Sequence, residues 1–384
     1  MLMIERKNAF KILHEASNVV SVNQPGDKGV RIQTYGGRMS VRARRDGVDV
    51  ELRQCVTGDD IGPVVVDPNR LKKVVKAKSK KEDSEVMLSV NDKSVVVSAD
   101  GMAISVSVAE DQLTPPLIGE AEWSAIVVRA VDEFRADDLV EVLEYVLRAA
   151  AKDDYRTNLN IVTFEKLGGV VTTDGHRLAK VDGKEILGKV MISTEAAEIL
   201  ARLVKMVSPE VVFMCVSEDK EDDSGSHIPN LVRFYAGMEN GLYFRLDTKE
   251  PDVITPQYKH VIPDNDGKWS FKISGEKLRT AVEKMISVID GLNGIGIETE
   301  ECGDLVTLSH VDMDGQRTAI KIEAMETVCD GKVSLNPKYL LDAIKTGASS
   351  DVVFQAGEAA DPVKILVDLD CGAQALGVVM PTLL

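Results

Sequence analysis

Aromatic residues are scarce: two Trp, seven Tyr and eight Phe make up 4% of the 384-residue chain. Hydrophobic residues as a whole still reach 44%, an ordinary globular share that excludes a disordered chain. The cores must therefore be built from Val, Leu, Ile, Ala and Met. Cysteine is equally sparse. Cys55, Cys215, Cys302, Cys329 and Cys371 are odd in number and never form a Cys-x-x-Cys pair. That excludes a disulfide framework or a zinc knuckle and predicts reduced, mostly buried thiols. No stretch approaches the roughly 20 apolar residues of a membrane span. The amino-terminal residues 1 to 8 meet charge at once and lack the apolar run of a signal peptide. A soluble, cytoplasmic protein with no membrane partner is expected. Positive charge is in deficit as well. With 46 Lys and Arg against 62 Asp and Glu, the formal net charge is −16, which argues against tight DNA binding of the ordinary kind, driven by cation–phosphate contacts.

A net charge is not a charge map. Residues 67 to 81 carry Arg70, Lys72, Lys73, Lys76 and Lys80 behind the single acid Asp67, while acids crowd elsewhere, as in residues 217 to 223. Such segregation suits a protein that turns one face to a polyanion and repels it with the rest. Taken alone, the basic segment reads more readily as a solvated lysine-rich helix.

A chain of 384 residues exceeds one ordinary domain, so two or three are expected. Helical periodicity appears in six places. The first is residues 6 to 20, with Phe10, Ile12, Leu13 and Ala16 on one stripe, and the second follows Asp67-Pro68, a cap followed by an N1 proline. The third is residues 135 to 151, with Leu139, Val142, Leu143, Val146 and Leu147 on one face. The others follow Ser193, Ser274 and Asn336-Pro337. Odd-numbered and even-numbered helices each recur roughly 130 to 140 residues apart, a long-period internal repeat. Alternating strands with Asp-Gly turns lie between them, at Asp174-Gly175 and Asp314-Gly315 for example. This predicts largely antiparallel sheets. The expected fold class is α+β: three tandem copies of one domain, each with two helices packed on antiparallel sheet. Proline and turn formers place the linkers so that the domains span 1–121, 122–263 and 264–384. Residues 217 to 229 read as a long acidic loop in the middle copy.

Catalytic and metal-binding constellations fail one by one. Gly183 to Lys189 has Walker-type spacing until Val190 stands in place of the magnesium-binding hydroxyl, so it reads as a turn entering a strand. Neither Asp264-Asn265-Asp266-Gly267 nor Asp312-Met313-Asp314-Gly315 places its glycine and distal Glu at the spacing of a calcium loop, so both read as turns. His14, His176, His227, His260 and His310 share no metal-ligand spacing. Asp174 and His176, with Thr173 as nucleophile, could be drawn as a triad, but residues two apart across a tight turn point in different directions. No cofactor, no metal and no catalysis are expected. By pattern alone, residues 173 to 178 are a well-formed hairpin.

The segment Thr173-Asp174-Gly175-His176-Arg177-Leu178-Ala179 nevertheless resembles a hallmark of the bacterial replicative clamp, the DNA polymerase III beta subunit family. The similarity extends through residues 155–160, 256–263 and 336–341 to Val378-Val379-Met380-Pro381, in family order. It is strong from about residue 122 onward and faint before it. The family's three-domain chain agrees with the repeat found independently.

The resemblance implies a head-to-tail homodimer closing into a ring of six domains around duplex DNA, a heterologous contact that closes instead of forming a fibre. Helices would line the hole and strands the rim. Retention by topology needs only weak, sequence-independent phosphate contacts, which reconciles the acidic total with a DNA partner. The lining candidates are Arg70, Lys72, Lys73, Lys76, Lys80 and Lys152. The resemblance further implies a pocket between the second and third domains that docks short peptides of the replicative polymerase and of replication and repair proteins, with loading by a clamp-loader ATPase. Carried over by motif, that pocket comprises Arg156, Leu159, Thr173, Gly175, His176, Arg177, Leu178, Pro256, His260 and Val261. Asn336, Tyr339, Pro362, Val378, Met380 and Pro381 come from the third domain. Aliphatic and Met side chains suit an adaptable apolar slot. The chain departs from the family at Thr382 and Leu383, at residues 23 to 28, and in the acidic insert at 217 to 223.

Overall fold

The computed structural model describes residues 2–20, 29–45, 47–67, 70, 85–91, 94–99, 102–108, 128–151, 155–217, 220–221, 227–228, 230–239, 241–263, 268–289, 294–299, 304–344 and 350–382. The chain divides into two compact units, one of residues 1–137 and 198–250, the other of residues 138–197 and 251–384. Five α-helices are described: α1 Arg6–Val19, α2 Ala136–Val146, α3 Thr194–Val207, α4 Gly275–Val288 and α5 Pro337–Ile344. These fall where periodicity put the first, third, fourth, fifth and sixth. The helix expected after Asp67-Pro68 lies outside the described residues, apart from Arg70. Among the described residues no helix is long and apolar enough to cross a membrane.

Local chemistry explains the helix starts. Ser193 Oγ accepts the Ala196 N–H at 3.1 Å, and Asn336 Oδ1 accepts the Lys338 N–H at 2.9 Å. Each supplies a partner for an orphan donor of the first turn. Helix α2 stops at Val146 and passes into a 3-10 turn, Leu147–Ala149, so the helical stretch is shorter than its apolar pattern.

In the first unit an eight-stranded antiparallel sheet runs in the order Val128–Arg135, Val211–Ser217, Leu231–Gly237, Tyr243–Lys249, Val48–Cys55, Arg38–Arg45, Val30–Tyr35 and Val64–Val66. Strands from the first and second sequence repeats are thus joined directly, Phe244 opposite Leu52 and Leu246 opposite Val50. These four are fully buried, and α1 packs on the same sheet with Ile12, Leu13 and Ala16 buried. The alternate positions carry charge. Arg233 Nε donates to Asp247 Oδ1 at 2.6 Å, Arg245 lies 3.0 Å from Glu51, and Arg42 Nε donates to Asp49 Oδ1 at 2.7 Å. All of these carboxylates are buried, so each depends on its cross-strand cation. A five-stranded sheet completes the unit: Thr57–Gly58, Leu2–Glu5, Glu85–Asn91, Ser94–Ala99 and Met102–Ser107.

In the second unit a nine-stranded sheet runs Val190–Ser193, Ile161–Phe164, Val170–Thr173, Arg177–Val181, Gln374–Val379, Val363–Asp368, Asp351–Ala356, Trp269–Ser274 and Glu326–Val328. Strands of the second and third repeats meet where Leu178 pairs with Val378. Phe271 and Phe354 stack at 4.6 Å beside Trp269 in the core. The four-stranded sheet is Arg317–Glu323, Leu305–Val311, Ile295–Thr299 and Gly331–Leu335. Both units are helices on antiparallel sheet, the α+β class expected.

The described cysteines are unpaired, but the expectation of mostly buried thiols is wrong. Cys215 alone among them is buried, Cys371 is intermediate, and Cys55 and Cys329 are exposed. Cys55 is the last residue of its strand and Cys329 sits just after one, where alternation no longer turns side chains inward. The Asp312 turn is closed by protein donors: Oδ1 accepts the N–H groups of Asp314 at 3.0 Å and Gln316 at 2.8 Å. Residues 182–189 lead into the strand Val190–Ser193, with a helix only after Ser193. This is the turn-into-strand reading of the Walker-like segment.

Candidate functional site

The hairpin joining Val170–Thr173 to Arg177–Val181 is built by its own side chains. Asp174 Oδ1 accepts the N–H groups of His176 at 2.9 Å and Arg177 at 3.0 Å, an Asx turn. The Thr173 hydroxyl donates to the Arg177 carbonyl at 2.7 Å and accepts the Gly175 N–H at 3.1 Å. Two of the three groups of the conceivable triad, Thr173 and Asp174, are therefore occupied in shaping the turn. Gly175 has φ +87°, a left-handed conformation that a side chain disfavours.

One face of the sheet beside this hairpin is apolar. Val171, Leu178, Tyr258 and Val378 form a buried cluster, with Ile262 and Leu376 packed against it. A shallow, open pocket adjoins it, lined by Asn158, Leu159, Ile161, Val171, Thr173 and Pro256 among others, with Tyr258. Burial, reinforced by Glu165, pushes the Tyr258 phenol well above its ordinary value, so it is a neutral group at any physiological pH.

Of the expected pocket residues, Leu159, Thr173, Leu178, Pro256 and Val378 converge on this face. Arg156 joins them through its Nη1, which donates to the Asp174 carbonyl at 2.9 Å. Its guanidinium and Leu159 stand beside Gly175. His176 and Met380 meet through the main chain, the Met380 N–H donating to the His176 carbonyl at 2.9 Å. Both side chains are exposed, as are His260 and Val261 on the 3-10 turn Tyr258–Val261. Pro381 follows Met380, and Pro362 precedes Val363, which pairs with Val379.

Three expected residues, Arg177, Asn336 and Tyr339, lie elsewhere. Strand alternation sends Arg177 to the face opposite Leu178, where its guanidinium carbon sits 4.3 Å from the Tyr339 ring centre. Asn336 serves as the cap of α5. On that helical side Tyr145, Arg148, Arg177, Tyr339 and Asp342 line a second, shallow cleft. Tyr258, Asp174 and Asp342 were not picked out from sequence as site residues. The first two stood inside the conspicuous segments, whereas Asp342 gave no signal.

The DNA-lining candidates Lys72, Lys73, Lys76, Lys80 and Lys152 lie outside the described residues. Arg70 is described, within 3.7 Å of Asp67.

Similar solved structures share this architecture from end to end. The sliding clamp of Bartonella birtlesii bound to griselimycin superposes with a TM-score of 0.81 at 20% identity, covering 100% of this chain and 99% of that one. The fold is that of a bacterial sliding clamp. The DNA polymerase III beta subunit of Thermotoga maritima gives a TM-score of 0.80 at 20% identity, with 100% of both chains covered. The subunit from Pseudomonas aeruginosa gives 0.78 at 19%, again with 100% of both covered. No protein-family model matches the sequence, and no curated protein does. The clamp fold is thus kept with about four-fifths of residues different from these relatives, while the Thr173–Ala179 hairpin and the Val378–Pro381 tail stand side by side in it.

Proposed function

We propose that this chain is a DNA sliding clamp, a non-catalytic processivity factor of three clamp domains, 1–121, 122–263 and 264–384. Two copies close head to tail into a ring around duplex DNA. The observation that carries this reading is the clamp fold over the whole length of the chain combined with an apolar groove beside the Thr173–Ala179 hairpin and the Val378–Pro381 tail. Ring closure draws support from two sheet edges. Met102–Ser107 in the five-stranded sheet and Arg317–Glu323 in the four-stranded sheet each pair on one side only among the described residues. Unpaired strand edges are templates for another chain, and two different edges on one chain give a heterologous, ring-forming contact.

The groove would take short peptides of the replicative polymerase and of replication and repair proteins. A relative of the same fold is bound to griselimycin, which makes that compound a usable probe. Arg70, Lys72, Lys73, Lys76, Lys80 and Lys152 would supply weak phosphate contacts inside the ring, in the cytoplasm, after opening by a clamp-loader ATPase. With a net charge of −16, retention has to come from enclosure.

Light scattering on the purified protein should give twice the 41.8 kDa chain mass. Protein loaded on nicked circular DNA should stay bound until the circle is linearised, then slide off. A single-chain mass with peptide binding intact would instead identify a monomeric relative that docks partners without enclosing DNA.

A further inference from the structure

Arg177 occupies a position expected to touch peptide, yet its side chain is committed on the helical side of the sheet. Nε donates to Asp174 Oδ2 at 3.0 Å, Nη1 donates to Asp342 Oδ2, and the plane stacks on Tyr339. With 14% of the side chain exposed, little of the guanidinium is left for a ligand. A planar fork can hold two carboxylates and a ring together in this way, whereas a lysine ammonium cannot. Asp174 is the residue whose other oxygen fixes the His176 and Arg177 amides. A chain of contacts thus runs from α5, through Arg177, to the turn that forms one edge of the groove.

Asp342 is the far end of that chain, and it also faces a second cation. Burial lowers the pKa of the Arg148 guanidinium, and Asp342 is the main charge opposing that shift. The Arg148 Nη1 is buried with no hydrogen-bond partner among the described residues. One carboxylate therefore serves two guanidinium groups; among the described residues Asp342 is the acidic residue that lines this cleft, and Glu144 acts on Arg148 more weakly. Replacing it leaves Arg177 without its second anchor and free to turn from Asp174.

We infer that Asp342, which does not line the groove, is a positioning residue for it, setting the Gly175–His176 turn through Arg177 and thereby ligand affinity. This rests on the docking reading above. The test measures griselimycin affinity by calorimetry for wild type, Asp342→Asn, Arg177→Lys and the double variant, with amide hydrogen exchange on the unliganded proteins. Each single variant should bind about tenfold more weakly, and the double no more weakly than the worse single, because neighbours in one network do not add. Exchange at His176 and Arg177 should quicken by about tenfold while core amides such as Phe354 and Ile365 keep their protection. Asp342→Glu should recover most of the affinity. Wild-type affinity in Asp342→Asn, additive losses, or exchange quickened throughout the sheet would each overturn the inference. If wild type fails to bind griselimycin, the docking reading falls. The exchange experiment then decides alone: faster turn amides support the relay and unchanged ones overturn it.

Discussion

The main-chain N–H of Met380 donates to the carbonyl of His176 over 2.9 Å, fastening the carboxy-terminal segment to the hairpin more than two hundred positions earlier in the sequence. Two residues on, the Thr382 N–H donates to the Ser334 carbonyl at 2.8 Å. The tail is thus tied at both ends of a short span, with the exposed Met380 side chain at the groove's margin. Deleting residues 380 to 384 should weaken griselimycin binding by at least about tenfold, the loss expected for one or two well-packed contacts. The dimer mass should be unchanged. Loss of the dimer in light scattering would assign the tail to assembly instead.

Gly175→Ala tests whether conformation or space sets the turn. A Cβ there would meet Arg156 and Leu159 at 3.5 and 3.6 Å, ordinary contact distances, so sterics alone would tolerate it. The φ of +87° would not, and a cost of about 1 to 2 kcal/mol is expected. Chemical denaturation should show it as a lower midpoint with an unchanged slope. A neutral result would mean that the turn relaxes without penalty.

Acid sensitivity should reside partly in Glu51. Burial pushes its carboxyl up, but hydrogen bonds from Arg53 and Ser40 with the charges of Arg245 and Arg53 outweigh that, leaving it below the usual 4.5. A carboxyl held lower in the folded state binds fewer protons there than when unfolded. Its stabilisation is therefore present above pH 4.5 and is lost as pH falls through the lower folded value. Glu51→Gln should melt at a lower temperature at pH 7 and show a shallower decline between pH 5 and 3. A variant with the wild-type acid limb would remove Glu51 from the account. The nearby Asp247 has the opposite shift, raised by deeper burial despite Arg233 and Arg245, so its contribution runs the other way.

Charge reversal of Lys72, Lys73 and Lys76 to Glu should shorten retention on nicked circular DNA severalfold and flatten its salt dependence, since each lost phosphate contact reduces the salt slope by about one. Griselimycin affinity should stay the same. Unchanged retention at every salt concentration would move the DNA contact to other helices.

The sequence alone determined what depends on neighbours a few residues away. The caps at Ser193 and Asn336, the Asx turn at Asp174 and the Asp312 turn all close through bonds between residues less than five apart, and the buried stripe of Leu139 and Leu143 follows from their spacing of four. Such interactions are written in local spacing. The hairpin and tail were recognisable as segments and supply Thr173, Leu178 and Val378 of the groove, while Asn158, Leu159, Pro256 and Tyr258 come from two other recognisable segments, residues 155–160 and 256–263. Tertiary structure alone decided which strands meet. Leu178 beside Val378, Phe244 beside Leu52, and the Glu141 carboxylate accepting the amides of Asp370 and Cys371 join residues far apart in the chain. It also decided that Arg177 points away from the groove to Asp342. Antiparallel edges can pair with many partners of similar hydrophobicity, so periodicity fixes which face of a strand is buried but not the strand it adjoins. That choice is made by the packing of whole sheets against their helices.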